Sequence, residues 1–233
     1  MDNATIKLKI MQRLNKLASF DYDNLHDWQI VEAFNKASVD WPRRQLHGTN
    51  LSKTGDEQSK RRIDDLQVLL REYPLDMKKE DCYFGSIEWP EDYFEYKRVS
   101  FKGKTDCCER NKFVLYLVEE GNIDVLLNDS LRSPDFKWGQ ALVTLANNTV
   151  KIWTNNKFDV EDAVFHYYKQ PTRVEWLGVS NPYTGVASTV EVESEFKDDI
   201  VELLIDETVK ILAGDTEYGS AHQIADKSVE SNN

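Results

Sequence analysis

Acids are abundant but no pair is singled out by its context, and the other residues able to do chemistry are few. Three cysteines, Cys82, Cys107 and Cys108, could supply thiolates. The vicinal pair lies near Arg110, a cation that could lower a thiol pKa and favour a nucleophile. No base partner accompanies it, and an odd count with one adjacent pair does not make a disulfide framework, so the cysteines read as reduced thiols. His166 lies in Val164-Phe165-His166-Tyr167-Tyr168, where alternation makes it a packed or edge histidine of a strand. The other histidines, His26, His47 and His222, are scattered without metal-ligand spacing, so no metal is expected. Asp64-Asp65 and Asp198-Asp199 are adjacent in sequence, and adjacent helical positions diverge by about 100°, so neither pair forms a shared acid–base site. Nucleophile elbow, P-loop, dinucleotide fingerprint and zincin motifs are all absent from the sequence. The expectation is a protein without catalytic residues and without a cofactor.

Charge is the stronger signal. The 233 residues carry 29 Lys and Arg against 41 Asp and Glu, a net charge of −12. That balance argues against tight, sequence-independent duplex binding, which needs a basic footprint. The charge is uneven. Arg43, Arg44, Lys53, Lys60, Arg61 and Arg62 form a basic belt, whereas residues 191–217 hold ten acids against Lys197 and Lys210. The belt reads either as a solvated surface or as a contact for an acidic partner or a phosphate backbone. Opposite patches on identical subunits could also meet head to tail, which closes into a ring when the rotation permits.

Stepping outward, the elements that hold these residues change period twice. Residues 4–46 read as two helices. The first carries Ile6, Ile10, Leu14 and Leu17 on one face and can be capped by Asn3. The second carries Ile30, Ala33, Phe34, Ala37 and Trp41, can be capped by Asn24, and should kink or end before Pro42. A short link should make them an antiparallel pair. Residues 47–60 read as an exposed loop. From 63 to 177 the period is two. Asn147-Asn148 predicts a tight hairpin between strands at 141–146 and 149–154. A second hairpin is expected from 113–118 and 123–127 around Gly121, and further strands at 83–89, 93–101 (turning at Lys102-Gly103-Lys104), 163–168 and 173–177, in largely meander-like order. Ser194 can cap a last helix over 195–213, with Phe196, Ile200, Leu203, Leu204, Ile211 and Leu212 on one face and Gly214 at its end. Tyr218, Ile224 and Val229 are isolated apolar anchors in the polar tail, suited to a partner groove.

The expected fold is therefore α+β, a helical domain built from both chain ends with an inserted antiparallel β-barrel or sandwich module. Its parts are 1–62 (helices and basic loop), 63–178 (β-module), 179–214 (linker and helix packing on the N-terminal helices) and 215–233 (tail). The ten Tyr, ten Phe and six Trp leave a second possibility open, a ligand-binding module whose aromatic β-domain holds a sugar or an oligonucleotide. No apolar run approaches the roughly 18 residues of a membrane span, and the first twenty residues lack an uninterrupted apolar stretch, so no signal peptide is expected.

Tyr22-Asp23-Asn24, Trp28, Val31-Glu32-Ala33-Phe34-Asn35-Lys36-Ala37, Trp41 and Arg43 resemble the N-terminal helices of head-to-tail connector (ring or adaptor) proteins of tailed bacteriophages, crAss-like phages in particular. Arg61-Arg62-Ile63-Asp64-Asp65-Leu66-Gln67-Val68-Leu69-Leu70 and residues 196–215 resemble the same group. The middle of the chain is not covered. The resemblance implies a virion structural protein at the head–tail junction, synthesised in the host cytoplasm. It would form a ring, commonly a dodecamer, beneath the portal protein. The ring would extend the DNA channel, pass DNA without reading its sequence, and dock other tail or ring proteins. Subunit or partner contacts would fall on Arg43, Arg44, Arg61, Arg62, Tyr218, Ile224 and Val229, and the acidic last helix could line the channel and repel phosphates.

Overall fold

The computed structural model describes residues 1–17, 25–47, 64–180 and 185–215. It is α+β with two sheets, and it divides into two compact units, residues 1–68 with 171–233, and residues 69–170. Arg61, Arg62, Tyr218, Ile224, Val229, Asn24 and the loop from residue 48 lie outside the described residues.

The first unit contains α1 (Asn3–Leu17), α2 (Asp27–His47) and a terminal helix, α4 (Asp198–Asp215). Asp2, not Asn3, caps α1: the Thr5 backbone N–H donates to its carboxylate at 2.9 Å. Asn3 is instead buried, and its amide donates to the carbonyls of Glu175 and Val192. At the start of α2 the Gln29 side chain accepts the His26 N–H at 2.9 Å, satisfying a donor that the first turn leaves free. Helix α2 does not stop at Trp41 but runs through Pro42 to His47. Proline removes one helical hydrogen bond and costs stability. Here Trp41 and Pro42 are both buried, and Trp41 meets Phe196 edge-to-face at 5.8 Å, so packing holds the helix past the break.

The expected α1–α2 pair is not the main packing of this unit. Both helices pack chiefly on α4. The cause is the width of the α4 apolar stripe. Ile200, Val201, Leu204, Ile205, Val209 and Leu212 are all buried, whereas Leu203 and Ile211, expected inside, are only half-buried. A stripe wider than one face can serve two neighbours. Helix α4 starts at Asp198, so Phe196 packs from the segment before it.

Across this unit Asn35 acts as a polar clamp. Its side-chain amide donates to the Val174 carbonyl at 3.0 Å, and its oxygen accepts the Val174 N–H at 2.7 Å, all buried. The segment at 173–177 is not a strand; it is held by this clamp and by a single antiparallel bridge between Glu175 and Val192.

In the second unit, β1 (Leu70–Pro74), β4 (Tyr93–Lys104), β5 (Glu109–Arg110) and β9 (Asp159–Lys169) form one sheet in the order β1-β9-β4-β5. The other has the order β2-β3-β8-β7-β6, with β2 (Met77–Lys79), β3 (Tyr83–Ser86), β6 (Val114–Leu117), β7 (Gln140–Ala146) and β8 (Thr149–Trp153). Each sheet ends in edge strands, so neither closes on itself as a barrel. The order is less meander-like than expected, because β9 inserts between β1 and β4 and β3 pairs with β8. Residues 64–69, expected in the β-module, are helical.

The Asn147-Asn148 hairpin is present, with φ of 52° and 56° at its two turn residues. The second expected hairpin is not. Residues 123–128 form helix α3 (Ile123–Asn128), and β6 pairs parallel with β7. Ile123 is buried and Leu126 and Leu127 half-buried, a spacing of three and four that suits a helix and not a strand. Strand β4 likewise runs through Lys102-Gly103-Lys104 without turning. The core of this unit draws on both sheets: Phe84, Val143, Val150 and Ile152 from one, Val99, Phe101, Ala163, Phe165 and Tyr167 from the other.

Asn35→Ala should cost about 3 kcal/mol, because it leaves the buried N–H and C=O of Val174 without partners. Denaturant unfolding compared with wild type checks this; a change under about 0.5 kcal/mol, the size of an ordinary surface substitution, would show that the clamp is not needed.

Candidate functional site

Among the described residues, several of those singled out by charge are engaged within the chain. Lys9 and Arg13 pair with Glu202, Arg13 also pairs with Asp206, and the N-terminal ammonium meets Asp198 at 2.7 Å. Arg44 lies 3.0 Å from the buried Glu207. Burial alone would raise the Glu202 pKa, but Lys9 and Arg13 outweigh it and hold the carboxyl below its usual value. The row of acids on α4 is thus a seam against its own N-terminal helices. The opposite charges that could have joined two subunits meet, at Arg44, inside one. Arg43 is exposed and also has a partner within the chain.

Cys107 and Cys108 are exposed, with their sulfurs 3.0 Å apart. Hydrogen bonds from Cys108 and Thr105 lower the Cys107 pKa, and the same Cys108–Cys107 contact raises that of Cys108. The expected help from Arg110 is otherwise directed: its guanidinium donates to the carbonyls of Lys112, Phe136 and Lys137. Among the described residues no group of His, Cys, Asp and Glu is arranged to hold a metal ion, and no helix is long and apolar enough to cross a membrane.

Sheet register gives His166 partners that the sequence does not show. Glu72 on β1 and Arg98 on β4 lie opposite it on either side. Its Nδ1 is 3.2 Å from the Glu72 carboxylate and its Nε2 is 3.0 Å from the Ser100 hydroxyl. With Nδ1 donating to Glu72, Nε2 accepts the Ser100 proton. The order hydroxyl–imidazole–carboxylate is that of a nucleophilic triad, but here it lies across three paired strands, one group from each of β4, β9 and β1. Burial, then the Arg98 charge, lowers the imidazole pKa against the pull of Glu72. The arrangement holds a neutral histidine as a polar tie across β1, β9 and β4.

The surface that stands out chemically lies on the other sheet, around β6. Its start is locked. Phe113 stacks on Phe101 at 4.6 Å and lies 5.0 Å from Phe158. Gly103 makes room for it, since a Cβ there would lie 2.5 Å from the Phe113 ring. Gly139, at φ 67°, leaves the space that the Arg110 guanidinium occupies. Beyond this lock the chain presents apolar side chains to water: Val114 is 57% exposed, Tyr116 52%, Leu117 49%, Leu131 83% and Trp138 74%. Tyr116 and Leu117 border a cleft of about 690 Å³ whose other walls include Val125, Leu126, Leu131 and Leu142. Exposed apolar side chains that adjoin one cleft, as Tyr116, Leu117 and Leu131 do, mark an interaction surface more than scattered single residues do. By contrast, most aromatics of this unit stack on one another in its interior, as Tyr93, Phe165 and Tyr167 do.

The helical unit has a smaller cleft of about 270 Å³, bordered by Trp28, Glu32, Arg173 and Trp176. Glu32 and Arg173 pair across it.

The sequence contained one signal for the β6 surface: residues 114–118 are apolar without a polar residue between them, whereas a half-exposed strand normally alternates. Compared with protein-family models and with curated proteins, the chain matches none.

Acidification should weaken the fold through His166. The native state resists a proton that the unfolded chain accepts near its ordinary pKa of 6.5, so stability falls as pH drops through that value. Unfolding at pH 7.5, 6.5 and 5.5 should show this fall, and His166→Gln should flatten it while lowering stability at pH 7.5 by about 1–2 kcal/mol. An unchanged slope in that variant would assign the pH dependence elsewhere.

Proposed function

We propose that this chain is a structural subunit that works by association: a head-to-tail connector protein of tailed bacteriophages. It forms a ring, a dodecamer by the family resemblance, beneath the portal protein at the head–tail junction of the virion. The two sheets of the β unit act as a sandwich around their common core. The ring extends the DNA channel and docks the next tail component. A net charge of −12 keeps passing phosphates from adhering. Arg43 and the basic residues Arg61 and Arg62 serve subunit or portal contacts, and Tyr218, Ile224 and Val229 anchor the C-terminal segment in a neighbour.

One observation carries the reading. The chemistry-bearing side chains pair with one another, while a sheet edge and its flank leave Val114, Tyr116, Leu117, Leu131 and Trp138 in water. A lone subunit gains nothing from such a surface; an assembling one buries it.

Native mass spectrometry of the purified chain, with and without the portal protein, tests the proposal. Closed rings, alone or on the portal, are expected. A chain that ignores the portal and instead binds a glycan array or an oligonucleotide would overturn it in favour of a ligand-binding module. Removing residues 215–233 should leave the rest of the chain folded and abolish joining to the assembly; normal joining would rule out the anchoring role.

A further inference from the structure

The four edge strands of the β unit are not alike. Strand β1 carries Arg71, Glu72 and Pro74, β2 carries Lys78 and Lys79, and β5 is Glu109-Arg110. Charges and proline on an edge discourage pairing with another chain. Strand β6, Val114-Leu115-Tyr116-Leu117, has neither. Its backbone is half engaged. Val114 and Val118 donate to the carbonyls of Gly139 and Val143 at 2.7 and 2.9 Å. Alternation in a parallel ladder therefore turns the N–H and C=O of Leu115 and Leu117 away from β7, toward the open edge.

We infer that this edge pairs with β6 of a second copy, antiparallel about a two-fold axis at Tyr116, joining two five-stranded sheets into one. Two features select that occupant. The first is hydrogen-bond parity. Outward-facing residues must oppose outward-facing residues. Pairing Leu115 with Leu117 of the second copy meets this requirement and places Tyr116 opposite Tyr116 and Val114 opposite Val118. The second is charge. The strand is preceded by Lys112 and followed by Glu119 and Glu120. Antiparallel pairing brings Lys112 of each copy toward the Glu119 end of the other on both sides of the axis, while Glu120 stays paired with Lys151 of its own chain. A parallel pairing would align like charges, which is unfavourable. The edge is thus complementary to itself, as a two-fold interface requires. Sheet extension supplies main-chain hydrogen bonds, and Tyr116 and Val114, half-exposed in the single chain, supply the buried apolar area.

The pairing uses the same exposed edge that the ring reading rests on, and the test separates the two. Sedimentation equilibrium of the full chain across a dilution series should show a monomer–dimer equilibrium. Tyr116→Lys places two ammonium groups opposite each other on the axis, and should raise the dissociation constant at least about tenfold with unchanged circular dichroism. Opposed residues of a non-hydrogen-bonded pair have Cα atoms about 4.5 Å apart, within disulfide reach. In a Cys107→Ser, Cys108→Ser background, where the exposed thiols are gone, Tyr116→Cys should therefore form a reducible dimer under mild oxidant that the background does not, and Val114→Cys should not. A chain monomeric throughout, a dimer indifferent to Tyr116→Lys, or equal cross-linking at 114 and 116 would overturn the pairing. Rings without this dimer would leave the connector reading standing alone; the dimer without rings or portal binding would do the reverse.

Discussion

The helical unit depends on a contact between the two ends of the chain. Helix α4 brings a wide apolar stripe and a row of acids, and α1 and α2 bring the cations and apolar faces that match them. Lys9 and Arg13 meet Glu202 and Asp206 beside buried Ile6, Ile10 and Leu204. The apolar contact supplies most of the driving force. The ion pairs, being partly exposed, contribute less energy than register, since a shifted α4 would leave carboxylates facing apolar surface. Once α4 is seated, Asn3 and Asn35 can reach the backbone at Glu175, Val192 and Val174, and the irregular segment of this unit is held without being a strand.

The same seam changes the meaning of the net charge. An acidic helix suggests a free acidic surface, and a basic belt suggests a partner. Because Arg44 meets Glu207 and Arg13 meets Asp206, part of each patch is neutralised within the chain. The exposed apolar surface lies where charge does not mark it. In the β unit the interior absorbs most aromatic rings, the His166 tie fixes β1, β9 and β4, and the lock of Phe113 and Arg110 fixes the start of β6. What these leave outside is an uncharged edge with Tyr116 and Leu117 and a cleft beside it.

Helix spacing in residues 4–46 and in the last helix was legible, because amphipathic periodicity is a local property. So was the Asn147-Asn148 turn, where the residue type tolerates the positive φ that the turn demands. Helix α3 was misread because Ile123 and Val125 favour strands locally, while burial at 123, 126 and 127 is decided by packing against β7 and β8. The β6 surface was legible only as an apolar run. Whether such a run is central and covered, or at an edge and open, depends on which strands flank it.

By itself, then, the sequence determined the α+β composition, the placement of helical segments toward both ends, and the tight hairpin. Each follows from residue type and short-range spacing. Tertiary structure alone decided that α4 serves both N-terminal helices, that the acids face cations of their own chain, that His166 lies between Glu72 and Ser100, and that β6 is the uncharged edge. Each of these joins residues far apart in the chain. Their pairing is set by strand order and helix packing, to which local propensity is blind.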